Sequence, residues 1–357
     1  MEEGNVRKLF LSVAVVGALL GAGVWLRPAA SQVNTVKEIA RGVYFHEGDL
    51  KAGHCNNAWV ELDDYVVVVD ANFPSGARLV IPKIRATSTK PIRFAFDTHH
   101  HGDHAYGNQV WVDEGAIPVA HSGVIEEMKK YETGYYGGKP GRWEEAAKGR
   151  PDVATSRLKP PTLLFPKQLI FDDGKRRLEL HHFGVAHTHG DGWGWMPKER
   201  ILFTGDACVN GPYNYVGDGN TQEWVETLRD AQRLKPRIVV PGHGPVGEES
   251  LLEDQRRYFL ALQREVRLAK QSHKRPDEMQ AQVEPIRAAL LREERIKRYV
   301  GDFFAAQVEK VYIELGGSPF PPKKEASRRA RSLHAVNHGL PLLNEARRSP
   351  RVARRGR

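Results

Sequence analysis

Fifteen histidines occur in this 357-residue chain, and several of them fall together. Thr98-His99-His100-His101-Gly102-Asp103-His104 holds four groups of metal-ligating type, His99, His101, Asp103 and His104, within six positions. The box directly follows Ile92–Asp97 (IRFAFD), whose β-branched and aromatic content predicts a strand. Residues two apart in an extended segment project to the same side, so the imidazoles of His99 and His101 share a face. A turn after them folds Asp103 and His104 towards a second point nearby. Neutral imidazole and carboxylate are the donors that zinc and similar first-row ions select. A single histidine is more often a packed core or surface residue, but four ligand-type groups at one strand end do not fit that description.

Three further segments repeat the context. Gly184-Val185-Ala186-His187-Thr188 follows a strand expected over 177–183. Phe203-Thr204-Gly205-Asp206 closes a strand over 201–204. Val240-Pro241-Gly242-His243-Gly244 closes another over 238–241. Each sets one ligand-type residue beside glycine, where backbones approach closely. Donors at several strand ends that converge on one edge make a metal site, and such an edge is where open sheets bind ligands.

The HxHxDH box, G-x-A-H-T, F-T-G-D and P-G-H-G, in this order, resemble the metallo-β-lactamase-fold hydrolase superfamily over roughly residues 35–250. The resemblance implies an α/β (α+β) fold, a four-layer αββα sandwich with a two-metal centre on one edge. By matching position, His99, His101 and His187 hold one ion, and Asp103, His104 and His243 hold the other. Asp206 bridges them. Asp70, at the end of the YVVVVD run, is either an acid that orients a ligand or a strand-end turn residue. His100, His181, His182 and His189 fall outside the ligand positions, with His189 expected nearest the cleft and Cys208 expected in its wall.

The implied activity is a metal-dependent hydrolase, with two zinc ions expected and iron or manganese as alternatives. A metal-bridging hydroxide attacks an ester, thioester, lactone or amide-type bond, and a metal lowers the pKa of water from 15.7 to about 7. Asp103 and Asp206 are the catalytic acids, Asp103 orienting the nucleophile and passing a proton to the leaving group. The ligand set is similar to glyoxalase-II-like thioesterases and lactonases. It departs from β-lactamases that use a cysteine ligand, because Asp206 stands at that place, and from those with His after Asp but no bridging acid. A β-lactamase proper is therefore an alternative, as is a persulfide dioxygenase built on one iron. A noncatalytic binding protein is disfavoured, because such proteins lose ligands and none is missing.

These motifs need a scaffold. Short extended stretches are expected at Gly42–His46 and Asn56–Glu61. Tyr65–Asp70 reads as a buried strand, Pro74–Gly76 as a turn and Ala77–Thr87 as a helix. Ile117–His121 leads into a helix over 122–131. Residues 132–166, rich in Gly, Pro and charge, read as a long loop or lid over the cleft, carrying Tyr135, Tyr136 and Trp143 with Tyr131 at its edge. Strands follow at Leu169–Phe171, Arg177–Phe183, Trp193–Met196, Ile201–Thr204 and Ile238–Pro241. A helix over Thr221–Leu234 is capped by Asn220, with Glu223 at its third position. From about 249 to 315 the chain is helical. The expected organisation is an export signal or membrane anchor over 1–32, a catalytic domain over 33–250, a helical extension over 251–316 and a basic tail over 317–357.

The formal net charge is +9. Residues 323–357 hold eleven Lys/Arg against two acids, which is the whole excess, and the remainder balances at 42 of each sign. The body thus carries no electrostatic footprint for nucleic acid, and a small-molecule substrate is expected. Arg7 and Lys8 precede a charge-free run of 18 residues, Leu9–Leu26, followed by Arg27-Pro28 and Ala29-Ala30-Ser31. A positive flank, an apolar run and small residues read as an export signal. The run is also near the roughly 17–25 residues that span a bilayer. The protein is expected in the periplasm or outside the cell, with membrane association through residues 9–26 or the basic tail. Two cysteines, Cys55 and Cys208, are too few for a disulfide framework. Sequence leaves open whether they pair, and it leaves the oligomeric state open.

Overall fold

A computed structural model describes residues 33–322. The expected signal or anchor segment with its run 9–26, and the tail from 323 onward, lie outside the described residues. Among the described residues no helix is long and apolar enough to cross a membrane.

Among the described residues, twelve strands form two sheets. The first holds β1 (Val36–Ala40), β2 (Val43–His46), β3 (Asn57–Glu61), β4 (Val66–Val69), β5 (Ile92–Asp97), β6 (Ile117–His121) and β7 (Leu163–Phe165) in chain order. Its strands are antiparallel from β1 to β4 and parallel from β4 to β7. The second holds β8 (Gln168–Asp172), β9 (Arg177–His181), β10 (Trp193–Met196), β11 (Ile201–Gly205) and β12 (Ile238–Pro241), in which only β11 and β12 run parallel. Each parallel step needs a crossover. The helix Pro74–Thr87 carries β4 to β5, and Thr221–Gln232 carries β11 to β12.

The sandwich follows from side-chain alternation. In β4, Val67 and Val69 enter the layer between the sheets, while Val66 and Val68 meet the helix Pro74–Thr87 through Val80, Ile81 and Ile84. In β11, Ile201 and Phe203 face inward and Leu202 faces the opposite helical layer. Strands buried on both faces read as unbroken apolar runs, which is the pattern of YVVVVD. The helical extension, chiefly Ser250–Ser272, Val283–Leu291 and Phe304–Glu314, packs into the same cluster as Trp193, Leu202 and Val239. It therefore completes the outer layer of the second sheet.

Two expectations are corrected. Pro74–Gly76 is the first turn of the helix, because proline at the first helical position lacks only an N–H that no helix could use. Residues 132–166 are not one loop. The helices Arg142–Gly149 and Pro151–Ala154 and the strand Leu163–Phe165 lie inside it, held by burial of Ala146, Val153 and Phe165. The capping expectation is met, since the Asn220 side chain accepts from the backbone N–H of Gln222 and Glu223.

Trp224 joins the layers. It is fully buried, donates from Nε1 to the Ala207 carbonyl at 2.8 Å and lies 4.5 Å from the Phe259 ring. Trp224→Ala should cost about 3–5 kcal/mol in urea unfolding, the cost of deleting a large buried aromatic. Cys55 and Cys208 are unpaired and fully buried, and burial pushes the Cys55 thiol up to about 12 and Cys208 higher still. Neither should react with a thiol reagent at pH 8 in the native protein, and both should react in denaturant. Rapid native labelling at either position would show that the chain opens there.

Candidate metal centre

The parallel strands β4, β5, β11 and β12 end on one edge, and the chain turns there to present Asp70, His99–His104, Asp206 and His243. His187 comes from the loop after β9. All seven ligand-type residues named from the sequence converge there, each at most 6% exposed.

In the first set, the His101 Nδ1 lies 3.2 Å from the His99 Nε2 and 2.8 Å from the His187 Nε2. The partners of the opposite ring nitrogens decide where the protons are. The His101 Nε2 faces the Asp218 carboxylate at 2.9 Å, and the His187 Nδ1 faces the Tyr215 carbonyl at 2.9 Å. Both partners only accept, so His101 carries its proton on Nε2 and His187 on Nδ1. The Thr98 hydroxyl donates to the Asp70 Oδ1 at 2.7 Å, so its oxygen accepts from the His99 Nδ1 at 3.1 Å. Three imidazole lone pairs are thereby aimed at one another. Lone pairs at 2.8 Å repel, and a cation among them turns repulsion into coordination. The donor set fits a zinc-type ion on this ground.

The second set is carboxylate-rich. The His104 Nδ1 lies 2.9 Å from the Asp70 Oδ2, and its Nε2 is 3.4 Å from both the Asp103 Oδ2 and the Asp206 Oδ1. The His243 Nε2 is 3.1 Å from the Asp103 Oδ2 and 3.4 Å from the Asp206 Oδ2. The same Asp206 oxygen is 3.7 Å from the His187 Nε2, so Asp206 touches both sets. Charge differs between the sets. Burial drives His99 and His101 well below the usual imidazole range and His187 to about 4, keeping them neutral. Burial also opposes charge on His243 and His104, but their neighbours outweigh it, Asp206 and Asp103 for His243, and Cys55 followed by Asp70, Asp103 and Asp206 for His104. His243 is pushed up to about 9, chiefly by Asp206 and Asp103, and His104 is well above its ordinary range. The Asp206 carboxyl, raised by burial, is held well below its ordinary value by His243 and His104. The second set calls for positive charge, which a divalent ion would supply in place of the histidine protons.

Local backbone geometry serves these contacts. Asp70 has φ 66°, a left-handed conformation rare for a side-chain-bearing residue. It lets the carboxylate accept from Thr98 N at 2.9 Å and reach His104. Gly242 precedes His243 because a Cβ there would stand 2.0 Å from the Asp206 Oδ1. Asn56 donates to the carbonyls of Pro241 and Gly244 at 2.9 and 2.7 Å, fixing the His243 turn. Thr188 donates twice to Asp191, which ties the His187 loop.

Of the other residues singled out from the sequence, Asp70 turns its carboxylate to the His104 Nδ1 at 2.9 Å. His100 is fully buried and accepts from the Arg142 Nη1 at 3.1 Å. His182 stacks on His121 with centroids 3.8 Å apart, and His181 pairs with Glu179. His189 is exposed. Cys208 belongs to the core under the second sheet, whereas Cys55 lies beside Asp70 and His104. Sequence reasoning missed Asp218, Arg142, Lys130 and Asn56. Asp218 sits between glycines just before the Asn220 cap, but its partners lie 76 and 117 residues away, a separation no local pattern encodes.

Two packed sheets with helices on both outer faces thus carry a histidine–carboxylate cluster at one edge. A family model described as the metallo-beta-lactamase superfamily matches residues 50–243. Over 81 residues the chain is 32% identical to a metallo-beta-lactamase type 2 of Bacteroides fragilis, 21% of this chain and 32% of that protein. Over 84 residues it is 30% identical to one of Bacillus cereus, 22% of this chain and 33% of that protein. The match thus spans about a third of the length of these curated relatives. Among solved structures, a metallo-beta-lactamase from Pontibacter korlensis has a TM-score of 0.52 at 19% identity, covering 63% of this chain and 98% of that one. The corresponding values for VMB-1 are 0.51, 21%, 65% and 98%. The chain belongs to the metallo-β-lactamase superfamily.

Asp70→Asn replaces an acceptor-only oxygen facing His104 with an amide. Zinc affinity at the His104 set should fall about 10–100-fold, read by competition with a chromophoric chelator. Unchanged affinity would show that Asp70 serves the turn alone.

Proposed function

We propose that this protein is a metal-dependent hydrolase that holds two divalent ions, zinc by donor type, and cleaves an ester, thioester, lactone or amide-type bond of a small molecule. The observation that carries the reading is the position of Asp206, which lies against His104 and His243 of one donor set and His187 of the other. Bound divalent ions supply Lewis-acid polarisation and acidify water.

The chain's own residues do the rest. Asp70, Thr98, Asp218 and the Tyr215 carbonyl fix which imidazole nitrogens face the centre. Asp103, close to both His104 and His243, is placed to orient a reacting water and to pass a proton to a leaving group. Burial of every donor keeps bulk water away and strengthens each electrostatic contact. Tyr215, 5.5 Å from His101 and 5.8 Å from Phe303, and Tyr213, 5.8 Å from His243, give the approach an aromatic side suited to a substrate with an apolar part. Amide-type cleavage includes β-lactam opening, the activity in the names of the sequence relatives. The balanced charge of the body supports a small substrate over nucleic acid. The charge-free run after Arg7-Lys8 supports work outside the cytoplasm, with the run itself or the basic tail as a membrane tether.

Complete chelation should abolish hydrolysis across a panel of lactone, thioester, β-lactam, phosphodiester and alkyl sulfate, and added zinc should restore the preferred reaction. His101→Ala should lower kcat/KM at least about 100-fold, the scale of several kcal/mol of metal-dependent stabilisation. Full activity without metal would overturn the proposal. One iron per chain with oxygen consumption on a persulfide would assign a dioxygenase instead.

A further inference from the structure

Asp218 is bound through both carboxylate oxygens beside the centre. Its Oδ2 accepts from the His101 Nε2 at 2.9 Å and from the Arg142 Nη1 at 2.8 Å. Its Oδ1 accepts from the Arg142 Nη2 at 2.9 Å and the Lys130 Nζ at 2.7 Å. Arg142 is only 4% exposed, and its Nε donates to the Tyr136 hydroxyl at 3.0 Å. Lys130 also pairs with Glu127, so two cations face two carboxylates. The cluster is balanced in charge, with Arg142, Asp218 and Glu127 buried and Lys130 partly so. Deleting one member of such a pair strands its partner.

The origin of these residues gives the cluster its meaning. Lys130 and Arg142 flank the glycine-rich stretch 132–141, most of which is exposed. Asp218 stands in the loop between β11 and the helix Thr221–Gln232, and His101 follows β5. The bidentate Arg142–Asp218 contact therefore fastens an otherwise exposed strap to the residue that sets the His101 proton. Because Asp218 holds that proton on Nε2, the His101 Nδ1 is left to face His99 and His187.

We propose that Arg142, acting through Asp218, is a positioning residue for His101, and that it couples the order of the strap 129–142 to ion occupancy at His99, His101 and His187. The inference rests on the metal-centre reading above. With an ion present, the three lone pairs are satisfied and His101 stays against Asp218. Without one, the repulsion between His101 and His187 is relieved by turning the ring away, which removes an Asp218 contact and loosens the latch. Linkage makes the effect reciprocal, so a loosened latch weakens the ion.

The experiment measures zinc affinity and hydrogen–deuterium exchange of peptides covering 129–142 in the full chain, with and without zinc. In wild type, zinc should slow exchange there at least about 10-fold. Arg142→Gln should weaken zinc binding about 10–100-fold, although Arg142 contacts none of the donor nitrogens facing the ion, and should erase the zinc-dependent slowing. Arg142→Lys should recover part of both, since a point charge replaces one arm of the fork. Wild type that binds zinc with no change in strap exchange overturns the coupling and leaves the metal centre standing. Wild type that binds no zinc overturns both. The wild-type comparison decides the matter even where Arg142→Gln does not fold.

Discussion

The structure depends on imidazole protons being forced to the outside of the site. A histidine can ligate from either nitrogen, and a flexible ring would present the wrong one about as readily. Here each decisive outer nitrogen faces a group that only accepts or has already spent its proton: Asp218 for His101, the Tyr215 carbonyl for His187, Thr98 for His99 and Asp70 for His104. For the first set the inner nitrogens are left as lone pairs, the His101 Nδ1 standing 2.8 Å from the His187 Nε2 and 3.2 Å from the His99 Nε2. Buried polar groups without compensation cost several kcal/mol. The arrangement persists only where a rigid frame holds it and a cation suits it.

The two sheets provide that frame. Strand ends are stiff points, and four parallel strands deliver donors to one edge with little freedom to drift. Val67 and Val69 on one sheet and Ile201 and Phe203 on the other lock the inner layer, while Val66, Val68 and Leu202 lock the outer ones. Gly242 allows β12 to pass within contact of Asp206, and Asn56 ties the His243 turn across the sandwich. Binding strength at the edge is thus stored as packing in the layers behind it.

The helical extension and the strap take part in this economy of order. The extension packs against Trp224 and the outer face of the second sheet through Phe259 and Leu262, and the Tyr258 hydroxyl meets Gln307, which donates to the Asn214 carbonyl in the loop carrying Tyr215. The strap reaches the same loop through Asp218. The His101 and His187 partners therefore lie on one loop braced by both elements.

The chain's own pattern fixed much of this. Ligand-type residues beside strand ends were legible because strand periodicity and glycine are local properties, and Ile92–Asp97, Trp193–Met196 and Ile238–Pro241 form where their composition places them. All seven candidate donors could be named because the box and its three partners each carry a short-range signature. The segment 132–166 reads as a loop because its two short helices, Arg142–Gly149 and Pro151–Ala154, are set among Gly- and Pro-rich stretches that mask their helix formers. The proton positions, and the Arg142–Asp218–His101 contact across 76 and 117 residues, belonged to the tertiary structure alone. Residue type says what a side chain can donate or accept, but only the folded chain decides which partner stands within 3 Å of it.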